Sequence, residues 1–346
     1  MNQCVNILIV DDSRLIRNAL KEILVAYPDI RVVGEAANGE EALAMIAALA
    51  PDVVVLDVNM PVMDGLTTLK HMMIQRPTPT VMLSTLTTEG AGVTFDAFKF
   101  GAVDFLTKPT SLNDRDIQAQ GREIVDKIRI AAGVRMDSVQ YIRAADRGNA
   151  AKAPVNGSPE KFIAIGAGEG GYSALLKLVP QLSPTSRAAY IVVLHEEPAY
   201  VDAFVAYLDR CSQLKVKRAE DNLVMAAATC YFCSGREYIT IREKGGAILL
   251  HTGSAPFNSR RGSINMLMFS MVELLGDRSV GVVLTGGGFD GAEGLQEIIA
   301  HGGIGIIENP DHCLYKEMPE QALSRSPGTM VMADHRIATA LNLCGV

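Results

Sequence analysis

Residues 52–65 read DVVVLDVNMPVMDG. Val53 to Leu56 form an apolar run without polar alternation, the pattern of a strand buried on both faces, and such strands belong to parallel sheets covered by helices. The run ends on Asp57, and a helix is expected to begin near Gly65. Outward from this stretch the pattern repeats in NILIV (6–10), RVVGEA (31–36), TVMLST (80–85) and VDFLTKP (103–109). Amphipathic stretches begin at Ser13 and Asn38 and cover 93–100 and 112–132. Alternation of this kind predicts a doubly wound α/β domain over residues 1–125.

From 126 to 159 the chain reads as a linker, helical at its start and then flexible, ending in AADRGNAAKAPVNGSP (144–159). The α/β pattern restarts at KFIAIGAG (161–168) and continues through AYIVVLH (189–195), a β-rich middle (230–251), SVGVVLTGGG (279–288) and GGIGIIE (302–308). Helices are expected from about Tyr172, over 201–208, over 263–275, from Asp290 and near the end. A second α/β/α domain over 160–346 is therefore expected, and 346 residues suffice for two cores.

Composition excludes several classes. Apolar residues make up 48% of the chain and charged residues 21%, with no apolar run approaching the roughly 20 residues of a membrane-spanning helix. The N-terminus has no basic start or cleavage site, so a cytoplasmic location without membrane insertion is expected. A formal charge of −7 argues against a nucleic-acid partner, which calls for a basic face. The six cysteines are scattered, and Cys230 and Cys233 sit an odd number apart in a strand-like run, pointing to opposite faces, so neither a disulfide framework nor a metal site is expected.

In an open parallel sheet, ligands gather at the carboxyl ends of the strands. There stand Asp11 and Asp12 after the first strand, Asp57 at the end of the third, Ser84 at the fourth and Lys108 at the fifth. Three carboxylates brought together call for a hard cation with oxygen ligands, most naturally Mg²⁺. Lys108 adds a point charge for a phosphoryl group, and Ser84 a hydroxyl donor. Taken singly, Asp12 or Ser13 could cap the first helix, and Asp57 could be an ordinary strand-end residue. Together, DDS, LDVNMPVMDG, MLST and DFLTKP resemble the receiver domain of bacterial two-component response regulators. That resemblance implies a flavodoxin-like fold with strand order 2-1-3-4-5 and transfer of phosphate from a CheA-like histidine kinase onto Asp57. It further implies movement of Ser84 and Phe105 around the phosphate, the backbone carbonyl of Asn59 as a metal ligand, and a cis Lys108–Pro109 bond.

Four motifs carry the second half: IGAGEGG (165–171), VVLHEEPAYVDAFVAYLD (192–209), SRRGSINMLMFS (259–270) and VVLTGGGFDGAEGL (282–295). In order and spacing they resemble the effector domain of the chemotaxis methylesterases (CheB type), which hydrolyse glutamyl methyl esters on chemoreceptors and deamidate receptor glutamines. The resemblance covers nearly the whole chain and implies a catalytic triad. His195 and Asp290 match its histidine and aspartate, but the position of the serine nucleophile in the family's G-A-S-T-G-G is Gly168. Glycine has no side chain to acylate. Gly287 stands where the family has a methionine whose amide helps bind the oxyanion, and Glu169 replaces threonine next to Gly168, where a carboxylate near a helix N-terminus is expected either to occupy the oxyanion's place or to pair with His195. Taken alone, His195 is an ordinary strand-end histidine and Asp290 a cap for its own helix. Arg260 and Arg261 suit either a carboxylate-rich partner or a solvated basic patch.

The favoured expectation is a receiver-controlled binding module that engages chemoreceptors or other signalling proteins without hydrolysing esters. An active methylesterase/glutaminase using a non-standard route is the alternative, and a phosphate sink for the kinase a further one.

Overall fold

The computed structural model describes residues 4–84, 91–108, 114–134, 136, 157–254 and 262–345, and it divides into two compact units, Met1–Arg143 and Ala144–Val346. The first unit alternates β1 (Val5–Val10), α1 (Arg14–Val25), β2 (Ile30–Ala36), α2 (Gly39–Leu49), β3 (Val53–Asp57), α3 (Gly65–Gln75), β4 (Thr80–Ser84), α4 (Ala91–Lys99), β5 (Asp104–Thr107) and α5 (Asp114–Ala132). Its sheet has the order β2-β1-β3-β4-β5 with every pairing parallel, which is the doubly wound arrangement expected. Residues 53–57 are buried throughout because helices cover both faces, which is why this strand shows no polar alternation. Pro109 and residues 137–156 of the expected linker lie outside the described residues.

The second unit runs β6 (Lys161–Ala167), α6 (Gly171–Leu178), β7 (Ala188–Leu194), α7 (Pro198–Cys211), β8 (Lys215–Arg218), β9 (Thr229–Ser234), β10 (Glu237–Lys244), β11 (Ala247–Ser254), α8 (Ser263–Leu275), β12 (Ser279–Val283), α9 (Ala292–Ala300), β13 (Ile304–Glu308), α10 (Glu317–Arg325), β14 (Met330–Met332) and α11 (Asp334–Cys344). Seven strands form one parallel sheet in the order β14-β13-β12-β6-β7-β9-β8, and β10–β11 form a separate antiparallel pair. The β-rich middle expected from the sequence therefore divides between the sheet and this hairpin.

β7, β9 and β12 are buried along their whole length, so both faces are covered. α8 packs with α9 and α9 with α10, while α6 packs with α11. Cys230 and Cys233 are both buried although they alternate faces, because β9 lies inside the sheet. Burial pushes both thiols well above their ordinary range, which leaves them protonated and apolar in character.

Candidate functional site

The registers of the first sheet bring its carboxyl ends level, with Val10 beside Leu56, Asp57 beside Leu83 and Ser84 beside Thr107. Asp11 and Asp12 directly follow β1, Asp57 closes β3, Ser84 closes β4 and Lys108 directly follows β5. One oxygen from each of Asp11, Asp12 and Asp57 lies within 4.8 Å of the others. Lys108 Nζ spans the cluster, 2.8 Å from Asp57 Oδ2 and 2.9 Å from Asp11 Oδ2.

Burial pushes the Asp57 carboxyl above its ordinary value, and Asp11 adds to the push, against hydrogen bonds from Lys108 and the Asn59 backbone. Burial works against the Lys108 ammonium too, but its bonds to Asp57 and Asp11 outweigh that and hold it above the ordinary lysine range. The donor set therefore suits a hard cation: three oxygen-bearing acids, two of them buried and bridged by the Lys108 ammonium.

The neighbouring backbone is fixed around this cluster. Arg17 Nη1 donates to the carbonyls of Asp11 (2.7 Å) and Asp12 (3.2 Å). Ser13 N–H donates to Asp11 Oδ1 at 2.8 Å, and the Ser13 side chain makes no capping bond to α1, so the capping explanation of Ser13 fails. The loop after β3 returns so closely that a Cβ at Gly65 would stand 1.9 Å from the Asp57 carbonyl oxygen; only glycine fits. Phe105 is buried, edge-on to Phe98 and beneath the Lys127 ammonium. The side chain of Ser84 and the whole of Arg260 and Arg261 lie outside the described residues.

The second sheet presents its own group of residues. His195 directly follows β7, and its Nε2 lies 3.0 Å from Asp290 Oδ2, with both side chains buried. Asp290 does not belong to the helix that follows it. Its Oδ2 accepts from Ile264 N–H (3.0 Å) and its Oδ1 from Asn265 N–H (3.0 Å), both in the first turn of α8. Gly291 N–H adds a further bond to Oδ1 at 2.9 Å. The cap expected for Asp290's own helix is thus a cap for α8, whose free amides and dipole favour a carboxylate. Burial would raise the Asp290 carboxyl, but the bonds from His195, Ile264 and Asn265 outweigh it and hold it below its ordinary value.

Gly168 directly follows β6, and its N–H donates to the Thr285 carbonyl at 2.9 Å. A Cβ there would stand 2.9 Å from Gly286 Cα, 3.3 Å from Met318 Sδ and 3.4 Å from Gly287 N. The two turns therefore meet backbone to backbone. Glu169 does not join His195 through any described hydrogen bond; its Oε2 accepts from Gly287 N–H at 2.9 Å.

Residues 163–341 match the family model for the CheB methylesterase, and residues 7–119 match that for the response regulator receiver domain. The chain belongs to the CheB methylesterase family. A protein-glutamate methylesterase/protein-glutamine glutaminase of Pyrococcus abyssi is 34% identical over 98% of this chain and 96% of its own length. The protein of the same name from Archaeoglobus fulgidus is 36% identical over 96% of this chain and 95% of its own. The crystal structure of the Thermotoga maritima CheB methylesterase catalytic domain superposes with a TM-score of 0.51 at 24% identity, covering 53% of this chain and 97% of that one. That likeness fixes the fold of the second unit as the CheB one. With its receiver, the chain is a chemotaxis response regulator of the CheB type.

One buried acid in this CheB-type unit escaped the sequence reading. Glu308 closes β13, where an acid ending GIGIIE suggests a solvated strand end, yet it is buried and accepts Thr285 N–H on Oε2 at 2.8 Å. Burial lifts its carboxyl from 4.5 to about 7. Between those values the folded chain holds a proton that the unfolded chain has released, so stability falls as pH rises through that window and the loss is complete above it. Glu308→Gln removes this loss. Relative to the parent, the variant will gain up to about 3 kcal/mol between pH 5 and pH 8, read from urea midpoints. A difference that does not change with pH would contradict the assignment.

Proposed function

We propose that this chain is a cytoplasmic, receiver-controlled regulator whose CheB-type domain acts by binding chemoreceptors or other signalling proteins rather than by hydrolysing their esters. The observation that carries this reading is at Gly168, the position matching the family's serine. It bears no side chain, and the space a side chain would take is closed by Gly286 Cα at 2.9 Å from the Cβ position. A hydrolase of the triad type needs a nucleophilic oxygen there.

In this reading a histidine kinase donates its phosphoryl group to a carboxylate oxygen of Asp57. Asp11, Asp12 and Asp57, with the Asn59 carbonyl, would hold Mg²⁺, which supplies positive charge that offsets the phosphoryl oxygens. Lys108, already within 2.8 Å of Asp57 Oδ2, is placed to pair with the phosphoryl group. Ser84 ends β4, the strand beside β3, and Phe105 lies within β5, the next strand out. Phosphorylation then changes which surface of the CheB-type domain partners can reach.

An active methylesterase/glutaminase is the second reading. It is favoured by the buried His195–Asp290 pair, held at 3.0 Å as a working pair would be, and by the names of the relatives. Here water would be the attacking group and His195 would take its proton.

Capture of purified chemoreceptor cytoplasmic fragments, with and without an acyl-phosphate mimic on Asp57, tests the binding reading. Phosphorylation-dependent capture should differ by at least about fivefold, the lower end of ordinary allosteric coupling. Equal or absent capture in both states would instead favour a phosphate sink.

A further inference from the structure

The turn that follows β12 carries two backbone amides aimed at carboxylates from distant parts of the chain. Gly287 N–H donates to Glu169 Oε2 at 2.9 Å, and Gly288 N–H donates to Glu317 Oε2 at 2.8 Å. The two acids converge: a point one bond out from Gly287 Cα lies 3.2 Å from Glu169 Oε2 and 3.7 Å from Glu317 Oε2. Like charges brought together repel, and the two amide bonds offset part of that cost.

The turn itself is braced. Thr285 Oγ1 donates to the Tyr315 carbonyl at 3.1 Å and receives Tyr315 N–H at 3.0 Å. It also reaches the Glu169 carbonyl at 3.2 Å. Gly286 N–H donates to Tyr315 O and Met318 N–H to Gly286 O, both at 2.9 Å. Amides fixed in this way need no rearrangement to receive an anion, which is the property of a preorganised anion site.

We infer that the Gly286–Gly288 turn is a carboxylate-binding site filled from within by Glu169, and that the glutamate side chain of an acidic partner segment binds there by displacing it. The inference deepens the binding reading above, since it names the chemistry by which that edge takes a partner. Glu169 also occupies the amide nearest to the Gly168 side-chain position, which lies 3.4 Å from Gly287 N. The internal acid therefore sets a threshold: a partner must offer a carboxylate, held by further contacts, that outcompetes a tethered one.

The test uses the full-length protein, labelled with ¹⁵N and titrated with glutarate. In Glu169→Gln the tethered group is neutral and its bond to Gly287 weaker, by roughly the factor of two that separates charge-assisted from neutral hydrogen bonds. Glutarate affinity should rise about tenfold or more, with the largest shifts at the Gly287 and Gly288 amides. Glu169→Ala should gain at least as much. Glu297→Gln on exposed α9 removes the same charge elsewhere and should gain little. No gain in either Glu169 variant, an equal gain in Glu297→Gln, or shifts confined to other residues would overturn the inference. No ester is present in this titration, so release of methanol by the parent protein would refute the binding reading while leaving this result standing.

Discussion

Asp57→Asn will lose phosphoryl uptake by at least about 100-fold, because a neutral amide cannot act as the nucleophile that a carboxylate is. The loss should appear with a phosphorylated kinase and with acetyl phosphate alike, read as hydroxylamine-labile label on the protein. Asp11 and Asp12 are within 4.8 Å and are also carboxylates, so proximity alone does not select Asp57. Asp11 is equally buried and 2.9 Å from the same Lys108 Nζ, so what selects Asp57 is position: it ends the central strand, with its backbone locked by the return of the loop at Gly65. Label that persists in Asp57→Asn would move the acceptor to one of the other two acids.

Gly168→Ser is the second large effect. Supplying the missing hydroxyl would look sufficient to restore an esterase, but the Cβ alone stands 2.9 Å from Gly286 Cα, which is backbone and cannot rotate away. Gly286 is equally confined, since its own Cβ would meet Gly168 Cα and N at 2.9 Å and Met318 Sδ at 2.3 Å. The added side chain must push two turns apart, at a cost of roughly 1–3 kcal/mol, as for other overpacked sites. With Gly287 N–H already bonded to Glu169, the new hydroxyl would also lack a free amide for a developing oxyanion. The expected result is a lowered urea midpoint and no ester cleavage. A variant as stable as the parent that releases methanol would show that the scaffold needs only the hydroxyl.

Much of this was legible in the sequence because parallel strands are continuous apolar runs, and their ends are marked where the run stops. DVVVLD, NILIV and VDFLT each delivered a strand together with the acid or lysine at its end. The His195–Asp290 pairing was legible only by resemblance, since the two residues are 95 positions apart and join through the sheet order β12-β6-β7. What Asp290 caps was not legible. Its neighbours in sequence suggest its own helix, whereas the fold brings the first turn of α8 against it.

Two other features depend on long-range approach and leave little local signal. Glu169 reads as an acid before a helix, open to the oxyanion's place or to His195, and its neighbours in sequence do not choose between the two. The Gly168–Gly286 contact involves two glycines that read singly as ordinary turn residues; only the meeting of the two turns shows that the vacated position has been closed. Glu308 is hidden for a related reason, because a strand end is solvated in most sheets and is covered here.

The most direct test of the central claim is methanol release from methylated chemoreceptor by the phosphorylated parent protein, with His195→Ala beside it. The account predicts no release above the protein-free blank from either. Release by the parent that disappears in His195→Ala would contradict it, and would mean that the His195–Asp290 pair still performs the family's hydrolysis without a side chain at Gly168.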